Sequence, residues 1–126
     1  MPLVWISLRE GKPAAYRQAI GDGVHRAMVE TINVPAPDRF QVITEHGPEN
    51  LIYDPTYLGI ERTDDVIFVR ITLNAGRTTE QKRALYARMT ELLSNSPGVR
   101  PQDVLISLVE VARENWYFGN GEAQYA

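Results

Sequence analysis

Cysteine is absent from the 126-residue chain, which removes disulfides, thiolate nucleophiles and cysteine-based metal sites from consideration. Histidine is scarce, and the two present, His25 and His46, stand too far apart for a metal-ligand motif. A basic surplus is missing too. The formal net charge is -3, the opposite of what a nucleic-acid binder carries. No apolar run approaches the roughly 18 residues of a membrane span, and the N-terminus lacks the basic-then-apolar pattern of a secretory signal. The expectation is a cytoplasmic protein with neither nucleic-acid nor membrane partners, and with no metal.

What is there is a repeat. Moved on by 65 positions, Leu8 falls on Leu73, Gly11 on Gly76, Ala19 on Ala84, Val34 on Val99, Asp38 on Asp103 and Glu45 on Glu110. The apolar pattern follows, with Val4 on Val69, Ile6 on Ile71 and Phe40 on Leu105. Two copies of one supersecondary unit explain this, with halves at about 1–46 and 66–111 and a tail at 112–126. Each copy reads strand, glycine turn, helix, strand. "LVWISL" and "DVIFVRITL" are β-rich, "REGK" and "NAGR" are turns, and "PDRFQVIT" and "QDVLISLVEV" close the copies. The first helix starts near Pro13, and the second at Thr78 with Gln81 three places on, a capping-box pattern. Strands joined through a helix run parallel. The fold class is therefore α+β, a single domain over 1–126: two βαβ units in a four-stranded mixed sheet with both helices on one face. The other face would carry Leu3, Trp5, Phe68, Arg70 and Thr72, too apolar to stay bare, so a homo-oligomer is expected.

The N-terminal "MPLVWISL" poses a question, because proline cannot donate to a sheet. Either the strand begins at a sheet edge, or Met1 is removed and Pro2 becomes a free secondary amine. If the copies pair antiparallel, Pro2, Asp38, Arg77 and Trp116 share one end of the sheet. A base, an acid, a cation and an apolar wall then converge.

The amino-terminal proline of "PLVWISL", "DRFQV" at strand two, "AGRT" before helix two and "NWYFGNGEAQY" near the end together resemble the tautomerase superfamily, and within it the malonate semialdehyde decarboxylase branch. The resemblance spans nearly the whole chain. It implies a homotrimer with an active site at the proline end near subunit boundaries, no cofactor, and a small carboxylate-bearing oxo acid as substrate. Pro2 matches the catalytic proline, Asp38 the branch's active-site aspartate, and Arg77 an arginine that holds the substrate carboxylate. Trp116 and Phe118 match apolar pocket residues, Tyr125 closes the pocket, and Arg70 is a further cation for substrate or for the subunit interface. Where some decarboxylases of the branch carry R-x-R-T, this chain has "NAGRT", with Ala75 in place of the first arginine. That departure weighs against decarboxylation more than against tautomerisation.

The chemistry follows without the family. A free α-amine titrates near ~8, lowered by apolar surroundings or a nearby cation. Neutral, it serves as a base beside a carbonyl, and Arg77 binds a carboxylate through two hydrogen bonds. Protonated, it polarises a 3-oxo group as carbon dioxide leaves. The expected activity is cofactor-free keto-enol isomerisation of a 2-oxo acid, with 3-oxo acid decarboxylation as the alternative and a non-catalytic trimeric binding protein as the rival. Simpler roles stay open at this point. Asp38 and Asp103 occupy matching turns and can share a structural task, and Arg77 matches Lys12, so a solvated turn cation serves equally. His25, off the apolar stripe of its helix, is expected in solvent, and His46 in a turn.

Overall fold

Val4, Ile6 and Leu8 alternate with Leu3, Trp5 and Ser7 along the first strand, and that alternation sets which way it faces. In the computed structural model, which describes residues 1–126, the first three are buried against the helices and the others look toward the opposite face. The elements are β1 (Leu3–Arg9), α1 (Ala14–Thr31), β2 (Gln41–His46), β3 (Ile67–Asn74), α2 (Thr79–Asn95) and β4 (Val104–Val111), with short 3-10 turns at Tyr57–Gly59, Pro101–Asp103 and Arg113–Asn115. The sheet order is β2-β1-β3-β4, with β1 parallel to β2, β3 parallel to β4, and β1 antiparallel to β3. The two copies are thus related by a pseudo-twofold through the central pair. Moved on by 65, α1 lands on 79–96, against the observed Thr79–Asn95.

Both helices cover one face. The core between them and the sheet includes Ile6, Ile71, Ile20, Met28, Leu85 and Leu93. The helices approach closely because Gly23 has no side chain; a Cβ there would stand 2.9 Å from Leu93 Cδ2. Glu30 of α1 accepts from Arg88 Nε of α2 at 2.6 Å, and this bond chiefly holds its carboxyl below the ordinary carboxylate value. The expected capping box is present: Gln81 N–H donates to Thr78 Oγ1 at 3.1 Å, and Thr78 N–H to Gln81 Oε1 at 2.9 Å. The opposite sheet face carries Trp5, Phe68, Val42, Leu105 and Val109, the last three each about two-fifths exposed (41%, 43% and 41%). No helix is long and apolar enough to cross a membrane.

One of the two readings of the N-terminus falls, and two expectations are corrected. The first strand does not begin at a sheet edge: β1 is an interior strand, and Pro2 is accommodated because it precedes the first ladder pair, Leu3 with Thr72. The second strand starts at Gln41, not in "PDRF". Prolines 35 and 37 turn the chain there instead, with Asp38 N–H donating to Pro35 O at 2.9 Å and Arg39 N–H to Pro37 O at 3.0 Å. His25 does not point freely into solvent. It is half-buried, with Nε2 hydrogen-bonded to Ala36 O at 2.8 Å and Nδ1 buried without a partner.

Candidate active site

The strand directions bring the starts of β1 and β2 to the same end of the sheet as the finishes of β3 and β4. Pro2 immediately precedes β1 and is buried, its side chain in step with the helix-facing Val4 and Ile6. In this structure its nitrogen is acylated by Met1, whose amino group stands 3.7 Å from Asp38 Oδ2. Asp38 is held there by the proline turn, which His25 ties back to α1. Its other oxygen, Oδ1, is buried and accepts no hydrogen bond, an uncommon state for a carboxylate and one that points to a missing donor.

The second copy provides a control for this aspartate. Asp103, at the matching position, is fully buried and fully used: Thr63 N–H donates to Oδ1 at 2.7 Å and Thr63 Oγ1–H to Oδ2 at 2.6 Å. In the first copy it is the Met1 amino group that faces the carboxylate. The shared turn is structural, while the free carboxylate belongs to the Pro2 end alone.

The cations divide the same way. Gly76, at φ +123°, turns the chain out of β3 and delivers Arg77, which is half-buried and donates to Ile32 O at 3.1 Å and Asn74 O at 3.3 Å. Arg77 makes no ion pair, whereas its counterpart Lys12 is bound to Asp65 at 3.1 Å, the contact that chiefly raises the Lys12 pKa. The positive charge of Arg77 reaches Glu110 as a minor influence; that carboxyl is held low mainly by its 2.6 Å bond from Lys82.

The tail supplies the wall. Trp116 Nε1–H donates to Asn74 Oδ1 at 2.7 Å, which anchors the half-buried indole at the finish of β3. Phe118 stacks on Trp116 with centroids 6.0 Å apart, Tyr125 meets Phe118 edge-on at 4.9 Å, and the Arg113 guanidinium lies 4.6 Å over Tyr125. Arg70 is not part of this group. It lies on the open sheet face opposite Trp5 and over that ring at 4.6 Å. None of the chain's four surface cavities is lined by Pro2, Asp38, Arg77 or Trp116; the largest, about 330 Å³, sits at the other end of the sheet among Arg9, Lys12 and Tyr16. A single chain therefore forms no cavity around these residues, although Pro2 and Asp38 Oδ1 are buried. Two residues of this neighbourhood were not singled out for it from the sequence: His25, and Asn74, whose only signal was its place in the "NAGR" turn.

Two family models, both described as tautomerase enzyme, match residues 38–119 and 2–60. The probable tautomerase YusQ of Bacillus subtilis (strain 168) is 45% identical over 124 residues, covering 98% of each chain. The crystal structure of FG41 malonate semialdehyde decarboxylase inhibited by 3-bromopropiolate superposes with a TM-score of 0.92 at 41% identity, over 98% of this chain and 93% of that one. A fused 4-OT wild-type symmetric trimer shares the fold at a TM-score of 0.79 and 23% identity, over 98% and 97% of the two chains.

Proposed function

This chain belongs to the tautomerase superfamily and is an enzyme of it, an isomerase or a decarboxylase, and from that premise we propose a cofactor-free tautomerase that acts on small 2-oxo acids through the nitrogen of Pro2. Removal of Met1 turns that nitrogen from an amide into a secondary amine, at the end of the chain that Asp38 faces. The observation that carries the reading is the asymmetry of the repeat: Asp103 and Lys12 are bound within the chain, while Asp38 Oδ1 and the Arg77 charge are not.

In the enol-to-keto direction, the neutral amine takes the hydroxyl proton of the enol. The oxygen's electron pair forms the carbonyl, and the former double-bond pair takes a proton from the ammonium at C3. The amine is regenerated and nothing else is consumed. Arg77 holds the carboxylate through two parallel hydrogen bonds, and Trp116, Phe118 and Tyr125 keep water from the reacting atoms. The assembly that fits is a homotrimer with the open sheet faces turned inward, because those faces expose Val42, Leu105 and Val109. Enol phenylpyruvate is the test substrate. Turnover is expected with the mature protein, whose mass should show a chain that begins at Pro2, and Pro2→Ala should abolish it; undiminished turnover in that variant excludes the amine.

The similarity to FG41 malonate semialdehyde decarboxylase favours a second reading. A protonated Pro2 would polarise the aldehyde oxygen of malonate semialdehyde while the carboxylate carbon–carbon bond breaks. Carbon dioxide leaves, the electron pair is held as the enolate beside the ammonium, and a proton delivered to carbon from that ammonium gives acetaldehyde, the amine then regaining a proton from water. Carbon dioxide release measured beside phenylpyruvate turnover decides between the two.

A further inference from the structure

The four strands carry two acids, and both stand in register with buried, helix-facing leucines, Glu45 with Leu8 and Glu110 with Leu73. The strands therefore place no carboxylate on the open face of the sheet. They do place Arg70 there, exposed, with its guanidinium 4.6 Å over the Trp5 ring and in no ion pair within the chain. Arg70, Trp5, Ser7 and Phe68 line a hollow of about 280 Å³. If this face packs against protein, the cation needs a partner, because a buried unpaired charge is strongly unfavourable.

Phe68 is shared with a second hollow, of about 220 Å³, formed with Leu105 and five residues of the loop between β2 and β3. That loop is built as a projection. Arg62 donates to the carbonyl oxygens of Asp54, Tyr57 and Ile60 at 3.2, 3.0 and 3.3 Å and so folds the loop on itself. Its apolar side chains still face outward: Ile52, Tyr57 and Leu58 are 79%, 65% and 77% exposed. With Arg62 engaged by carbonyls, the Asp54 carboxylate accepts one bond, from Thr56 N–H at 2.9 Å, and meets no cation. Asp54 is the one acid that lines either hollow. A single chain thus presents a cation without an acid in one apolar hollow, and an acid without a cation on the apolar projection beside it.

We propose that this loop of one copy seats in the Arg70 hollow of the next, with Ile52 and Tyr57 against Trp5 and Phe68 and the Asp54 carboxylate on the Arg70 guanidinium. The occupant is a second copy of this chain, since the complementary charges and shapes lie on the same molecule in adjacent, non-identical patches. Non-identical patches make a head-to-tail contact, which is completed only in a closed ring. Three copies close it in the homotrimer proposed above, on which this inference rests; it uses none of the proline chemistry.

Sedimentation of the mature protein over a range of concentrations tests the pair. Arg70→Asp and Asp54→Arg should each raise the concentration at which half the protein is assembled by roughly 100-fold. Far-ultraviolet circular dichroism should stay unchanged, because both side chains are exposed in the single chain. The double variant Arg70→Asp/Asp54→Arg should assemble within about tenfold of the unaltered protein, since the pair is restored with its signs exchanged. The absence of cysteine permits a covalent test as well. Arg70→Cys/Asp54→Cys treated with a short bismaleimide should run as covalent dimer and trimer on a denaturing gel, and neither single cysteine variant should form a covalent trimer. Single reversals that assemble like the unaltered protein, a double reversal no better than its parents, or bridging confined within single chains each overturns the proposal. A trimer that persists in both reversals rejects the pair alone, whereas an unaltered protein that stays monomeric at every concentration rejects the trimer with it. Neither result bears on Pro2 as the base, which Pro2→Ala decides.

Discussion

Asp38 and Asp103 follow the same turn in the two copies and end in opposite states, and what differs is the donor that reaches them. Thr63 gives Asp103 a backbone and a hydroxyl hydrogen bond. Hydrogen bonds to a charged group contribute more than neutral ones, and removing a buried acceptor strands its donors. Asp103→Ala should therefore lower stability by about 2–3 kcal/mol, read as a drop in the denaturant midpoint, and should leave the turnover of the folded fraction unchanged. Asp38→Asn should do the reverse. It removes the charge that faces the N-terminal nitrogen, so turnover should fall roughly a hundredfold at an unaltered midpoint. Matching losses of stability in both variants would return Asp38 to the role of a turn residue. The two aspartates were equally visible in the sequence as a pair, but their difference was not, since it depends on whether Thr63, 40 residues from Asp103, folds back to it. Asn74 was overlooked for the same reason: its partner Trp116 lies 42 residues away and meets it only through the register of β3 with β4.

The elements themselves were far more legible. Glycine turns, the capping box and the alternation of apolar residues are local signals, and they place both helices and the cores of all four strands. The start of β2 was misjudged because "DRFQV" has strand-like composition while Pro35 and Pro37, a few residues earlier, commit the backbone to a turn. That turn presents Asp38, so the place where local reading failed is a place the candidate site depends on. The two glycine turns permit a matched test. Gly11 and Gly76 sit at φ +115° and +123°, with nothing within 4 Å of a built Cβ at either, so a substitution meets backbone strain and no clash. Alanine at either position should cost about 1–3 kcal/mol. Only Gly76→Ala should also weaken substrate binding, as a raised KM, because Gly76 aims Arg77 whereas Gly11 leads to a lysine already bound to Asp65. Equal KM values in the two variants would detach Arg77 from the substrate.

For the molecule as a whole, two features point to one cause. The sheet face away from the helices carries apolar side chains on all four strands, with Trp5 beside Val42 and Phe68 beside Leu105 among Ser7, Arg70 and Thr72, and no cavity surrounds Pro2, Asp38, Arg77 and Trp116. Burying apolar surface stabilises by about 25 cal/mol per Å², so a face of this kind drives copies together, and packed copies would wall the open end. Val109 stands on the edge strand, two-fifths exposed (41%), outside the helix-facing core. An aspartate there would leave the fold of one chain intact and place a charge in the contact, which is expensive without a partner. Val109→Asp should sediment as a 14.2 kDa monomer where the unaltered protein should sediment at three times that mass, with an unchanged far-ultraviolet circular dichroism spectrum. Turnover should fall at least tenfold, and raising the protein concentration until the trimer re-forms should restore it. A monomer that turns over at the full rate would mean that a single chain, with its aromatic tail as the only wall, is already the complete enzyme.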